Sequence, residues 1–151
     1  MSNHCWTVDG FGICVDDIGR FDVDKLLQLV NEAPDFAAQF LEWAESENGE
    51  GESIKDATVA ELLDYEADGE SGLGAILGEV IWEKEHIGLT VARSFYGESY
   101  LLFEPFYPWS HRTQQDREAT MESLEAIFRK YVSILTDEEI VADYYSVENG
   151  G

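Results

Sequence analysis

Positive charge is what this chain lacks most. Its 151 residues hold nine lysines and arginines against 32 aspartates and glutamates, a net charge of −23. A surface of that sign repels phosphate and offers it no basic stripe, which excludes direct nucleic-acid binding and disfavours anionic membranes. Cysteine is scarce too: Cys5 and Cys14 are the only two, too few for a disulfide scaffold. The start, "MSNHCWTVDG", has neither the basic segment nor the apolar run of a signal peptide. No stretch nears the ~20 apolar residues of a membrane span. Together these features predict a cytoplasmic protein with reduced thiols and no membrane partner. The three histidines, His4, His86 and His111, fall in no H-x-x-x-H or C-x-x-C pattern, so nothing supports a zinc site and no cofactor is expected.

Apolar residues are present in quantity. Hydrophobic side chains make up 44% and aromatics 13%, too many for a disordered acidic tail. The length suits a single globular domain over residues 1–151 with its own core. The charge is uneven: residues 1–80 carry 19 acids and three bases, and residues 81–151 carry 13 acids and six bases. Self-repulsion on that scale costs stability, so an acidic surface of this kind points to a basic partner or to a salty milieu.

Periodicity gives a coarse order of elements. "CWTVDGFGICV" alternates about Asp9-Gly10 and predicts an N-terminal β-hairpin; a two-residue turn there would set Cys5 opposite Cys14, either as a redox pair or as two small buried side chains. Asp22 is placed to cap a helix with Val23, Leu26, Leu27 and Val30 on one face, ended by Pro34. Asp35 then caps a second helix striped by Phe36, Phe40 and Trp43. After the loop "NGEGES", Thr58 and Glu61 have capping-box spacing before "VAELLDYEA", a short third helix. Ser71 is the expected cap of a fourth helix that turns Leu73, Ile76, Leu77, Val80 and Ile81 inward. Its Gly74 and Gly78 lower helix propensity and imply close packing on that face. "GLTVARSF" and "SYLLFEPF" around "YGE" read as a central hairpin. A long helix is expected from Asp116 to Leu135, with Met121, Leu124, Phe128, Tyr131 and Leu135 inward. Thr136 and Glu139 suggest one more capped turn, "IVADYYSV" a C-terminal strand and "ENGG" a frayed tail. The class is therefore α+β: a mostly antiparallel sheet of about five strands packed with about five helices.

Several stretches resemble functional motifs. Asp64, Glu66, Asp68 and Gly69 match the first half of a calcium loop, but the twelfth position is Ala75 where a bidentate glutamate is needed. "GLGAILG" has glycines without the preceding strand of a phosphate loop, and Asp68 and Glu70 would repel the phosphate. Asp16-Asp17 after the strand "ICV" is the best carboxylate pair for metal-dependent chemistry. The loop "FEPFYPWSHR" centres on Trp109 and reads either as an interface hot spot or as a lid over the core.

The densest acidic run lies at 45–70, with ten acids and one base, Lys55. Its carboxylates, Glu45, Glu47, Glu50, Glu52, Asp56, Glu61, Asp64, Glu66, Asp68 and Glu70, are the candidate partner-binding residues, with Trp109 beside them. If the third helix persists, Glu61, Asp64 and Asp68 share a face. Rows of carboxylates imitate successive phosphates and complement lysine and arginine grooves; a solvated surface is the plain alternative. In charge and size, though in no motif, the chain is similar to small acidic inhibitors of bacterial restriction or CRISPR machinery. The expectation is a binding protein, not an enzyme, that meets a basic, nucleic-acid-binding protein partner. Two other readings stand beside it: a metal-dependent enzyme or metal-binding domain using Asp16/Asp17 or the Asp64–Asp68 cluster, and an acidic domain of unrelated function adapted to high salt.

Overall fold

The computed structural model describes residues 5–48, 58–67, 70–94, 96–104 and 112–150. The fold is α+β, with an antiparallel four-stranded sheet in the order β4-β5-β1-β6 and a separate two-stranded ribbon, β2-β3. No helix among the described residues is long and apolar enough to cross a membrane.

The N-terminal hairpin does not form. β1 runs unbroken over Cys5–Cys14, and Asp9-Gly10 stays extended within it, Gly10 opposite Tyr145 and Asp9 opposite Ser146 on β6 (Asp143–Gly150). Alternation continues in phase through the Asp-Gly pair: Phe11, Ile13 and Val15 join the main core while Val8 lies on the other face. Two long-range partners satisfy this strand better than a local turn would, because β6 pairs with residues 5–12 and β5 (Ser99–Phe103) with residues 11–14. Asn149 and Gly150, assigned to a frayed tail, belong to β6 for the same reason: they pair with Trp6 and Cys5.

This correction removes the cysteine pair. Cys5 stands opposite Gly150 and Cys14 opposite Tyr100, nine steps apart along one strand, on the order of 25–30 Å, whereas a disulfide needs Cα atoms within about 7 Å. Cys14 is a buried free thiol, and burial raises its pKa. Less thiolate is then present at pH 8, so Cys14 should alkylate more slowly in the folded protein than in urea, its rate climbing only above the ordinary thiol range. Iodoacetamide labelling followed by peptide mass spectrometry measures this; a folded rate equal to the unfolded one would count against the buried placement.

The sheet has two apolar faces. Towards the helices, Phe11, Ile13 and Leu101 join the main core. On the other face Val8, Ala92, Leu102 and Val147, one from each strand, form a smaller buried cluster. The two edge strands, β4 and β6, also approach one another, so the sheet coils, and glycine at strand positions permits such a bend. A Cβ at Gly10 would lie 2.7 Å from the Phe103 carbonyl oxygen, and one at Gly12 1.9 Å from that of Leu101.

The helices cover the first face. α1 (Val23–Asn31) starts where Asp22 Oδ1 accepts the Lys25 N–H at 2.9 Å, and it buries Leu26, Leu29 and Val30. α2 (Pro34–Asn48) begins with proline in its first position, where no intrahelical donor is needed. Asp35, expected as its cap, is already inside the helix. Glu83 of α4 (Leu73–Glu85) serves instead, accepting the N–H groups of Asp35 and Phe36 at 3.1 and 2.7 Å. α4 turns Leu73, Ile76, Leu77, Val80 and Ile81 inward as expected. A Cβ at Gly74 would touch Val15 and Val91, and one at Gly78 would touch Leu101, so these glycines do mark the seam between helix and sheet.

Three boundaries differ from the periodic reading. α3 is a single turn, Val59–Leu62, capped by Thr58 as expected. The chain then turns at Leu63–Asp64 and forms the ribbon β2 (Glu66–Ala67) and β3 (Glu70–Ser71), because Tyr65 is drawn into a ring cluster with Phe36, Phe40 and Trp43. Ser71 is thus a strand residue, and Gly72, at φ +90°, caps α4. The helix expected from Asp116 to Leu135 is two, α5 (Gln114–Glu118) and α6 (Met121–Leu135). Thr120 breaks it by turning its hydroxyl to the Ser123 N–H in a second capping box. Leu124, Phe128, Tyr131 and Leu135 are buried on α6, but Met121 is 52% exposed. No helix follows Thr136, whose hydroxyl accepts the Glu138 N–H in a bend. The central hairpin forms as expected, β4 (Thr90–Arg93) against β5.

Candidate functional site

Among the described residues, the side chains suspected of metal chemistry do not gather. Asp16 and Asp17 lie in a single 3-10 turn, Val15–Ile18, and the Asp16 carboxylate accepts the Ser99 N–H at 3.0 Å, fastening the start of β5. Asp64 is an exposed turn residue and Glu66 opens the ribbon. Asp68 and Gly69 lie outside the described residues, as do His4, His111 and the loop bearing Trp109. Among the described residues no group of three or more His, Cys, Asp and Glu side chains is arranged to hold a metal ion. His86 ends α4 in the left-handed conformation, exposed and edge-on to Trp82.

The acidic run is only partly described. Glu45 is exposed on α2; Glu47 falls in the same helix with its side chain outside the description; Glu50, Glu52 and Asp56 lie outside it altogether. Glu61, Asp64, Glu66 and Glu70 are all exposed. The helical face proposed for Glu61, Asp64 and Asp68 does not exist, because α3 ends at Leu62 and the next residues turn. Glu61 is instead held by the Thr58 hydroxyl at 3.1 Å.

Tertiary packing groups the acids in another way. The Trp43 and Tyr65 rings meet at 5.2 Å. That contact lays the last turns of α2, with Glu45, beside the turn that carries Asp64 and Glu66. Ion pairs at Glu125–Arg129 and Glu85–Lys130 involve α6 and α4. Arg93 reaches the other end of the run, where its guanidinium donates to the Ser71 carbonyl at 3.0 Å.

Glu70 has a further setting. With Glu79 and Trp82 it lines a groove of about 420 Å³ between α4 and the segment Gly88–Val91. Trp82 is 47% exposed there, on the side of α4 away from the Leu73–Ile81 stripe. A groove lined by an exposed aromatic ring and by carboxylates suits a cationic side chain, which gains from the ring face and from the charge together. Periodicity alone did not single out this groove. Its available signal was an indole off the apolar stripe, with Glu79 and Glu83 nearby in sequence.

Elsewhere on the helical layer, Tyr131 is fully buried and donates its hydroxyl to Glu85 at 2.5 Å, a carboxylate that Lys130 also reaches at 3.3 Å. Burial opposes ionisation of Glu85, yet these two donors outweigh it and hold its pKa below the ordinary carboxylate value. The contact joins α4 to α6. No protein-family model, curated protein or solved structure matches this chain.

Proposed function

We propose that the protein is a small acidic binding module that occupies a basic surface on a nucleic-acid-handling partner, in the manner of a polyanion mimic. The observation that carries this reading is the groove lined by exposed Trp82 together with Glu70 and Glu79, on a chain of net charge −23. Aromatic anchors supply most of the energy at protein interfaces, and carboxylates around them set orientation and speed encounter with a basic surface. The exposed acids Glu45, Glu61, Asp64 and Glu66 extend the field beyond the groove and steer approach over roughly a Debye length, about 8 Å at physiological salt. By this mechanism the module inhibits or regulates by competition, carboxylates standing where phosphates would lie, as anti-restriction and anti-CRISPR proteins do in character.

Affinity capture from a lysate at low and then raised salt, followed by direct competition, tests the reading. A basic, nucleic-acid-binding protein should be retained, should be displaced by added nucleic acid, and should bind at least 100-fold more weakly to a Glu70→Lys/Trp82→Ala variant that still folds. Retention indifferent to both nucleic acid and the double substitution would overturn it.

A further inference from the structure

On the face of the sheet away from the helices, a cavity of about 250 Å³ lies between the β4–β5 turn and β6, with Tyr96, Tyr100 and Tyr145 in its wall, Glu98 and Glu148 beside them and Val147 among the lining. We propose that this cavity is a receptor for an alkylammonium group, filled by a lysine side chain of a protein partner. The inference rests on the basic-partner reading for the source of the ammonium; the chemistry of the cavity is independent of the Trp82 groove.

The wall is aromatic and angled. The Tyr100 and Tyr145 rings pack as a tilted pair, 5.0 Å apart at 48°, and both line the cavity. Tyr96 adds a third ring and is 91% exposed, so a ligand can reach it without displacing protein. Aromatic enclosures of this kind recognise ammonium groups through the negative faces of the rings.

Charge and order favour the same ligand. None of the lining residues is basic. Tyr100 donates its hydroxyl to the Glu98 carboxylate at 3.0 Å, fixing both side chains. The turn is fastened from within: the Ser94 hydroxyl accepts the N–H groups of Tyr96 and Glu98, the Ser94 N–H donates to the Glu98 carbonyl, and Gly97 takes φ +84°. An anion would meet two glutamates, and a neutral apolar ligand would strip water from them without compensation. Burial, then the hydrogen bond to Glu98, pushes the Tyr100 phenol up to about 12. Burial, with Asp17 as the largest charged influence, also raises Tyr145. Both phenols are therefore neutral at physiological pH, and the negative charge in the wall belongs to the carboxylates. The volume lies below the about 300–1,000 Å³ of drug-sized sites, enough for one alkylammonium head and part of its stem.

Three probes titrated into the full-length protein test the assignment: Nα-acetyl-lysine methylamide, choline, and the neutral isostere 3,3-dimethylbutan-1-ol, with the tyrosine ring resonances followed by NMR. The lysine probe should shift Tyr100 and Tyr145 saturably. It should bind at least tenfold more weakly to a Glu98→Gln/Glu148→Gln variant, which keeps the rings and the fold. Equal binding of the neutral isostere, indifference to the double substitution, or choline binding without lysine binding would each overturn the proposal. Lysine binding with no basic partner recovered sinks the partner reading alone; a partner lost with Glu70→Lys/Trp82→Ala while the tyrosines stay unmoved sinks only this one.

Discussion

Gly12→Ala is expected to cost about 3 kcal/mol or more, at the upper end of what overpacking does. The added methyl would fall 1.9 Å from the Leu101 carbonyl oxygen and 2.9 Å from both Leu101 C and Leu102 Cα. All three atoms are backbone, so no side-chain tip can swing aside. They also belong to β5 where Gly12 pairs with Leu102 and Ile13 with Leu101. Relief requires the two central strands to separate, which would break ladder hydrogen bonds and open both cores. Against a typical stability of about 5–15 kcal/mol, such a loss lowers Tm by roughly 6–12 °C for a chain of this size. Gly10→Ala should cost less, its nearest clash being 2.7 Å. Gly19→Ala is the control for crowding: nothing lies within 4 Å, and only the backbone, at φ +75° and ψ −147°, opposes it, a penalty of about 1–3 kcal/mol. Thermal unfolding followed by circular dichroism ranks the three. A Gly12→Ala protein melting within 2 °C of the parent would mean that β1 does not lie against β5 in this way.

Asp116→Ala should be the most damaging change outside the sheet, about 3–4 kcal/mol, from two orphaned donors at about 1–3 kcal/mol each. Asp116 is the buried charged residue among those described, 3% exposed. Its Oδ1 accepts the Gly88 N–H at 2.9 Å and its Oδ2 the Thr113 N–H at 3.2 Å. Thr113 returns the contact by accepting the Asp116 N–H at 2.9 Å, while its hydroxyl donates to the His86 carbonyl at 2.7 Å. One carboxylate thereby fastens the left-handed exit of α4 to the first turn of α5. Asn retains one acceptor and sets an NH₂ against the other donor, so Asp116→Asn should cost about half as much as Ala. Urea denaturation separates the two; equal effects, or both under about 1 kcal/mol, would mean that the carboxylate does not bind these amides.

Elements governed by near neighbours were legible in advance. The Asp22 cap, the Thr58 cap, the inward stripe of α4 and the central hairpin each depend on residues within a few positions, and each formed as read. Errors arose where a distant partner competed with a local preference. Asp9-Gly10 is a good turn pair, yet β5 and β6 offer β1 a ladder on both sides, and ten residues stay extended. "VAELLDYEA" has helical spacing, but Tyr65 gains more by joining three rings from α2. The break at Thr120 was readable in kind, since a threonine three residues before a serine can cap, but the apolar spacing across it concealed the restart.

The candidate sites divide in the same way. Sequence alone determined the sign of the surface, most of the inward helix stripes and the Asp22 and Thr58 caps, because charge, apolar spacing and short-range hydrogen bonds are properties of neighbours along the chain. Tertiary structure decided which carboxylates stand beside aromatic rings. Glu70, Glu79 and Trp82 meet because the ribbon and β4 both flank α4. Tyr96 and Tyr100 meet Tyr145, 45 residues further along the chain from Tyr100, because the sheet coils and brings β4 towards β6 across the two strands between them. Such a meeting is set by the burial of Val8, Ala92, Leu102 and Val147 beneath it, a long-range packing event that no local pattern in the sequence encodes.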